Sequence, residues 1–214
     1  MNLDKSQKSQ EYYAQERRDV IEAISRAPRC VLEPGCGQGA TLARIKELYG
    51  AEVFGVELDE SAASRAAERL DRVETADLNR WQPDYPAGYF DLIICADVLE
   101  HLVRPEELLA KLRPLLAPDG ELIASIPNIS YLPVVLRIIG DRFEYSESGV
   151  LDSTHLRFYT PRTMRRLFES AGYEVTYINK LRAGGLKANL ANIVSLGLLG
   201  RFLSPQYLIK AKLP

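Results

Sequence analysis

The sequence predicts an α/β fold built on a doubly wound, largely parallel sheet. Three observations predict it. Short apolar runs alternate with helical patterns from residue 30 to residue 126, the rhythm of strands joined by crossover helices. Glycines at 35, 37 and 39 follow directly on the first run, "VLEPGCGQGA", where such a sheet opens its ligand crevice. Glu57 then closes the second run, about twenty residues after the glycines, the spacing at which a carboxylate meets ribose hydroxyls.

The elements follow in order along the chain. Residues 1–10 are polar and read as a disordered tail, and "YYAQERRDVIEAISRA" has helical spacing of its apolar residues. "RCVLEP" is a strand, and "ATLARIKELYG" a helix with Gly50 placed to end it. "AEVFGVE" is apolar almost throughout, as a strand buried on both faces should be. "DESAASRAAERL" is a helix with Asp59 as N-cap. "RVETAD" makes a short third strand and "FDLIICA" a fourth. "RPEELLAKLRPLL" is a helix with Pro105 in its first turn, and "PDG" turns the chain into a fifth strand, "ELIASIP". Residues 127–160 break the rhythm with aromatics and turn residues, and read as an insertion. Thr160 and Pro161 start the helix "PRTMRRLFESAG"; the strand "YEVTYINK", an apolar helical stretch and a last strand, "QYLIKAKL", complete the chain.

Composition narrows the class. The chain has 214 residues, 46% of them hydrophobic and 26% charged, with net charge −2, which fits one soluble domain over residues 11–214. The charge balance gives no reason to expect nucleic acid as a partner. Cys30, Cys36 and Cys95 show no CxxC spacing, so neither a disulfide framework nor a cysteine zinc site is expected. The N-terminus lacks an apolar signal core, and "LANIVSLGLLGRFL" is too short and interrupted to span a bilayer. These features predict a cytoplasmic protein without a transmembrane segment. The apolar residues from Leu186 to Leu203 suit a homodimer contact, a cover over the acceptor pocket or a site for a lipid-linked acceptor.

The glycine loop and Glu57 together point to an adenosine-containing cofactor. Gly35, Gly37 and Ala40 also satisfy the dinucleotide pattern, which keeps a nicotinamide-dependent oxidoreductase as an alternative. Glu33, two residues before the first glycine, favours a ligand with positive charge over a pyrophosphate. No Tyr-x-x-x-Lys pair and no second domain are present to serve a hydride transfer. A sulfonium methyl donor fits better.

"VLEPGCGQG", "GVELD", "TADL" and "FDLIICADVLEHL" resemble the successive motifs of class I S-adenosylmethionine-dependent methyltransferases, nearest the type 11/type 23 branch. The resemblance covers about residues 11–180. It implies a Rossmann-like seven-stranded sheet, helices on both faces, an antiparallel last strand, and residues 127–160 as an acceptor lid. It also implies S-adenosyl-L-methionine as cofactor. Glu33 would reach the methionyl amino group through water, while Gly35, Cys36, Gly37 and Gly39 form the loop beneath the methionyl and ribose portion. Glu57 would take the ribose hydroxyls, with Leu58 beside the adenine. Asp77 would accept from the adenine amino group, and Leu78 would offer its backbone amide. Ala96 and Asp97 would flank the sulfonium, and Tyr13 and Arg17 resemble residues that close over the cofactor carboxylate.

For the acceptor, the resemblance points to a small molecule or saccharide methylated at oxygen. "FEYSESGVLDSTHLRFYT" resembles methyltransferases found among bacterial surface-polysaccharide enzymes. A hydroxyl nucleophile benefits from a general base, and His155 assisted by Asp152 is the first candidate, His101 the second. Asp97, Glu100 and His101 resemble the metal-associated E-x-x-E-H of ubiquinone-type O-methyltransferases, with Asp in place of the first Glu. No further ligand is identifiable, so no metal is expected. A ubiquinone-like or secondary-metabolite O-methyltransferase and a non-catalytic cofactor-binding protein remain alternatives.

Overall fold

A computed structural model describes residues 13–181 and 200–214. The strands are β1 (Cys30–Pro34), β2 (Glu52–Glu57), β3 (Arg72–Thr75), β4 (Phe90–Ala96), β5 (Leu116–Pro127), β6 (Glu174–Lys180) and β7 (Gln206–Lys212). They form one sheet in the order β3-β2-β1-β4-β5-β7-β6. The first five run parallel, and β7 runs antiparallel to both β5 and β6. The helices are α1 (Arg18–Glu22), α2 (Ala40–Tyr49), α3 (Glu60–Ala67), α4 (Pro105–Leu112), α5 (Leu132–Ile139) and α6 (Pro161–Ser170).

Strand side chains alternate between faces, and the core divides accordingly. Val31, Val53, Leu92, Ile94 and Ile123 pack with Val20 and Ile21 of α1, Leu42 and Ile45 of α2 and Ala66 of α3. Leu32, Phe54, Ile93, Cys95 and Leu122 face the other way, onto Leu108, Leu109 and Leu112 of α4 and Met164 and Phe168 of α6. A sheet covered on both sides needs apolar residues at consecutive positions. That requirement is why the runs in β1, β2 and β4 look continuous rather than alternating.

Two helix starts carry the caps the sequence offers. Asp59 accepts from the Ala62 amide at 2.8 Å at the head of α3. Thr160 and Thr163 form a reciprocal capping box on α6, with Pro161 in its first turn. Gly50 ends α2 in the left-handed conformation, its amide bonded to the Lys46 carbonyl at 2.8 Å.

Three local expectations are corrected. The N-terminal helix is five residues long within the described region, because residues 15–17 are not helical. There the Tyr13 carbonyl accepts from the Gln38 amide at 2.8 Å, and the Arg17 amide donates to Thr41 Oγ1 at 3.2 Å. The "PDG" turn lies inside β5 as a bulge, where pairing jumps from Phe90↔Leu116 to Leu92↔Glu121. The insertion contains a helix, α5, whose start is fixed by Pro133 in its first turn. The expected tail at 1–10, Gly184–Gly185 and residues 186–199 of the apolar segment lie outside the described residues. No helix among the described residues is long and apolar enough to cross a membrane.

Candidate active site

The strand order reverses between β1 and β4, and a cavity of about 200 Å³ opens at their carboxyl ends. This is where open α/β sheets bind ligands. The loop after β1 forms its floor. Gly35 and Gly37 have φ of +76° and +55°, conformations that favour glycine. A Cβ on Gly37 would lie 2.7 Å from the Tyr13 carbonyl oxygen, and one on Gly35 would lie 2.9 Å from Val98 Cγ2. Both glycines line the cavity. Gly39 instead caps α2 at φ +75°, and Cys36 is buried against Gly55 of β2; neither side of the loop there lines the cavity.

Glu57 ends β2 and is 7% exposed. Its Oε2 accepts from the Gly37 amide at 2.9 Å, and its Oε1 accepts from Leu58 and Asp59 amides at 2.8 and 2.9 Å. These bonds fix the carboxylate against the glycine loop, so the acid and the bare backbone form one unit. Leu58 lines the same wall with its side chain exposed. After β3, Asp77 Oδ1 accepts from the Asn79 amide and side chain at 3.0 and 2.9 Å. Asn79 Oδ1 in turn accepts from the Val103 amide at 2.9 Å. Asp77, Leu78 and Asn79 line the cavity together.

The other end of the cavity carries charge. Glu33 on β1 is 3% exposed, and its Oε2 has no hydrogen-bond partner. Burial pushes its pKa from the ordinary 4.5 up to about 8, against the pull of Arg17. Asp97, at the end of β4, has φ +53°. It accepts from Arg17 Nη1, from Ser125 Oγ at 3.0 Å and from Gln206 Nε2. Burial raises the Asp97 carboxyl pKa and the Arg17 guanidinium opposes the shift. Burial would lower the pKa of Arg17, but its hydrogen bond to Asp19 and the charges of Asp97 and Asp19 raise it overall. Tyr13, Gln15, Arg17 and Thr41 close this side.

The cavity residues fit a sulfonium cofactor. A buried carboxylate oxygen without a partner suits an ammonium group, and the glycines admit close backbone approach. Hydrogen bonds already fix Glu57 beside them.

The two histidines separate in place. His101 ends the 3₁₀ turn Leu99–His101 and lines the cavity together with Leu102 and Thr154 of the insertion. Its Nδ1 lies 3.1 Å from both the carbonyl and the hydroxyl of Thr154. His155 is buried just behind it, with ring centroids 4.8 Å apart and its Nδ1 bonded to the Val150 carbonyl at 3.1 Å. Asp152 Oδ1 accepts from the Thr154 amide and hydroxyl at 2.8 and 2.6 Å. The carboxylate that shares a cluster with both imidazoles is Glu100, which is 1% exposed.

Sequence reasoning did not single out Asn79, Thr41, Gln15, Val98, Leu102 or Thr154 as lining residues. "DLN" after the third strand carried a signal, since an Asp followed two residues later by Asn is an Asx-turn pattern. The Ser125 and Gln206 contacts to Asp97 join residues 28 and 109 positions apart, and no local pattern marks them.

Comparison with known proteins bears on the same cavity. The methyltransferase domain family matches residues 7–178. A ubiquinone biosynthesis O-methyltransferase of Coxiella burnetii is 26% identical over 190 residues, 86% of this chain and 80% of that protein. One from Thiobacillus denitrificans is 32% identical over 162 residues, 70% and 68% of the two chains. A crystal structure of a SAM-dependent methyltransferase from Archaeoglobus fulgidus superposes with a TM-score of 0.66, at 23% identity, over 95% of this chain and 94% of that one. That likeness shows the fold. The sheet order, the cavity at its switch point and the extent of the family match lead to one conclusion: the chain belongs to the methyltransferase domain family and is an S-adenosylmethionine-dependent methyltransferase.

Proposed function

We propose that the protein transfers a methyl group to a hydroxyl oxygen of a small-molecule or saccharide acceptor, working as a cytoplasmic single domain. The observation that carries this reading is His101, which lines the same cavity as Ala96 and Asp97. An imidazole beside the sulfonium end suits a nucleophile that must lose a proton. S-adenosylmethionine, when bound, supplies a methyl group already activated on sulfur. The chain's task is then to align the acceptor and hold its proton.

Glu33, Gly35, Gly37 and Glu57 hold the amino and ribose ends in this reading, and Leu58, Asp77, Leu78 and Asn79 hold the adenine. Arg17 and Tyr13 close over the carboxylate. Thr154, delivered by the insertion, fixes the tautomer of His101 by accepting from Nδ1–H, which leaves the lone pair on Nε2. The name of the curated relatives supports oxygen as the acceptor atom.

A second reading, a lipophilic acceptor of the ubiquinone kind, is favoured by the insertion's surface. Leu136 and Ile139 of α5 are 58% and 76% exposed, and Phe143 and Tyr145 stand exposed after them. A homodimer covering the same face is the competing use of these side chains. The test is methyl transfer from labelled S-adenosylmethionine to 3,4-dihydroxybenzoate, to its alkyl-tailed ester and to a panel of nucleotide sugars. Product from any of them, lost in His101→Ala, supports oxygen transfer. Preference for the tailed ester selects the second reading. Transfer confined to amine acceptors and unchanged in His101→Ala would overturn both.

A further inference from the structure

A second cavity, of about 410 Å³, opens where the end of the insertion meets the first turns of α4 and α6. Phe158 and Leu167 give it an apolar wall, and Arg157, Tyr159 and Arg166 bring hydrogen-bond donors to it. It shares no lining residue with the cofactor cavity. Thr154 lines the one and Arg157 the other, so one short stretch of the insertion borders both.

Arg157 is held in place without being neutralised. Its amide donates to the Glu100 carbonyl at 3.0 Å, and its Nε and Nη2 donate to the Val103 carbonyl at 3.2 and 2.6 Å. A carbonyl fixes a guanidinium but brings no countercharge. Among the described residues, no carboxylate pairs with Arg157, and the Arg166 side chain has neither a hydrogen bond nor an ion pair. The arginines nearby differ: Arg104 pairs with Glu107 at 2.6 Å and Arg165 with Glu169 at 3.5 Å. Burial pushes the Tyr159 pKa up to about 12, against the pull of Arg157. Its hydroxyl therefore keeps its proton at neutral pH and is free to donate it to a ligand oxygen. Glu106 is the acid on the cavity wall, and its charge also acts on Arg104.

Two guanidiniums without carboxylate partners and a phenol, all lining one space, suit an oxyanion. A carboxylate offers two oxygens, which a single guanidinium fork satisfies. A phosphoryl group offers three, enough for all three donors. We propose that this cavity binds the phosphoryl group of a phosphate ester or diphosphate, and that it holds the charged end of the methyl acceptor while the acceptor's hydroxyl reaches His101. The role in acceptor binding rests on the hydroxyl-acceptor reading; the anion site itself does not.

Titration calorimetry of sodium pyrophosphate into the full chain tests the site, with S-adenosylhomocysteine present at saturation to keep the probe off the glycine loop. The expected result is binding of a single pyrophosphate, weakened at least about tenfold in Arg166→Ala and unchanged in Arg165→Ala. The second variant removes the same charge from the same helix, so it separates a local site from general attraction. In transfer assays with nucleotide sugars, Arg166→Ala should raise KM at least about tenfold and leave kcat unchanged. Absence of pyrophosphate binding, equal weakening by the two variants, or malonate binding as tightly as pyrophosphate would overturn the proposal. A nucleotide-sugar KM unmoved by Arg166→Ala would overturn the role in acceptor binding. Pyrophosphate binding as expected, with methyl transfer confined to phosphorylated amines, would uphold the site and sink the hydroxyl-acceptor reading instead.

Discussion

Glu33→Gln separates what the cofactor site needs from what the fold would prefer. In the apo protein burial holds the Glu33 pKa near 8, so at pH 7 about nine in ten molecules carry the proton. The ammonium of a bound cofactor favours the carboxylate, and binding should therefore expel that proton. Titration calorimetry with S-adenosylhomocysteine at pH 7, in phosphate and in Tris, should report release of about 0.9 proton per site, and none in Glu33→Gln. Stability gives the second measure. The folded protein keeps this proton to higher pH than the unfolded chain does. The stability it contributes is complete below pH 4.5 and is lost as pH rises through 8. A rise from 4.5 to about 8 corresponds to on the order of 5 kcal/mol, about 3 of it gone by pH 7. Glutamine has no such proton, so Glu33→Gln should be more resistant to urea than the parent at pH 8 while binding S-adenosylhomocysteine more weakly. Equal heats in both buffers for the parent protein, or a variant less stable than the parent at pH 8, would refute the reasoning.

Two further outcomes are expected. Gly37→Ala forces a Cβ to within 2.7 Å of the Tyr13 carbonyl at a φ of +55°; the left-handed strain alone costs about 1–2 kcal/mol, and S-adenosylhomocysteine affinity should fall at least about tenfold. Thr160→Ala removes the cap on α6 and should cost about 1 kcal/mol in denaturant unfolding, with S-adenosylhomocysteine affinity unchanged because α6 lies away from the cavity.

Much of the fold was readable because its determinants are local. Two-faced burial makes β1, β2 and β4 apolar at every position, and the glycines must be bare where φ is positive and the Tyr13 backbone passes. Glu57 was visible for the same reason, since it ends a strand at a fixed distance from the loop. The N-terminal helix misled. Tyr13 and Arg17 have helical spacing, but hydrogen bonds to Gln38 and Thr41 pull that stretch across the cavity instead. Asp152 stands beside His155 in sequence and in space: its carbonyl accepts from the His155 amide at 3.0 Å, while its Oδ1 accepts from Thr154. Glu100, adjacent to His101 in sequence, lies 55 residues from His155 and clusters with it because the insertion pairs with the turn after β4. Sequence proximity says little about side-chain partners when a loop doubles back on the site.

The position of β7 has a consequence for how the protein becomes active. The last strand enters between β5 and β6, and among the described residues β6 pairs with no other strand. Its first residue, Gln206, also donates to Asp97 at the mouth of the cavity. A growing chain that has made all five parallel strands, the glycine loop and Glu57 therefore still has an open sheet edge on β5 and an Asp97 that lacks its Gln206 contact. Docking of β7 closes both at once. A truncation before Gln206 would leave every sequence motif of the family in place and still remove the partner of both β5 and β6 and one of the hydrogen bonds to Asp97.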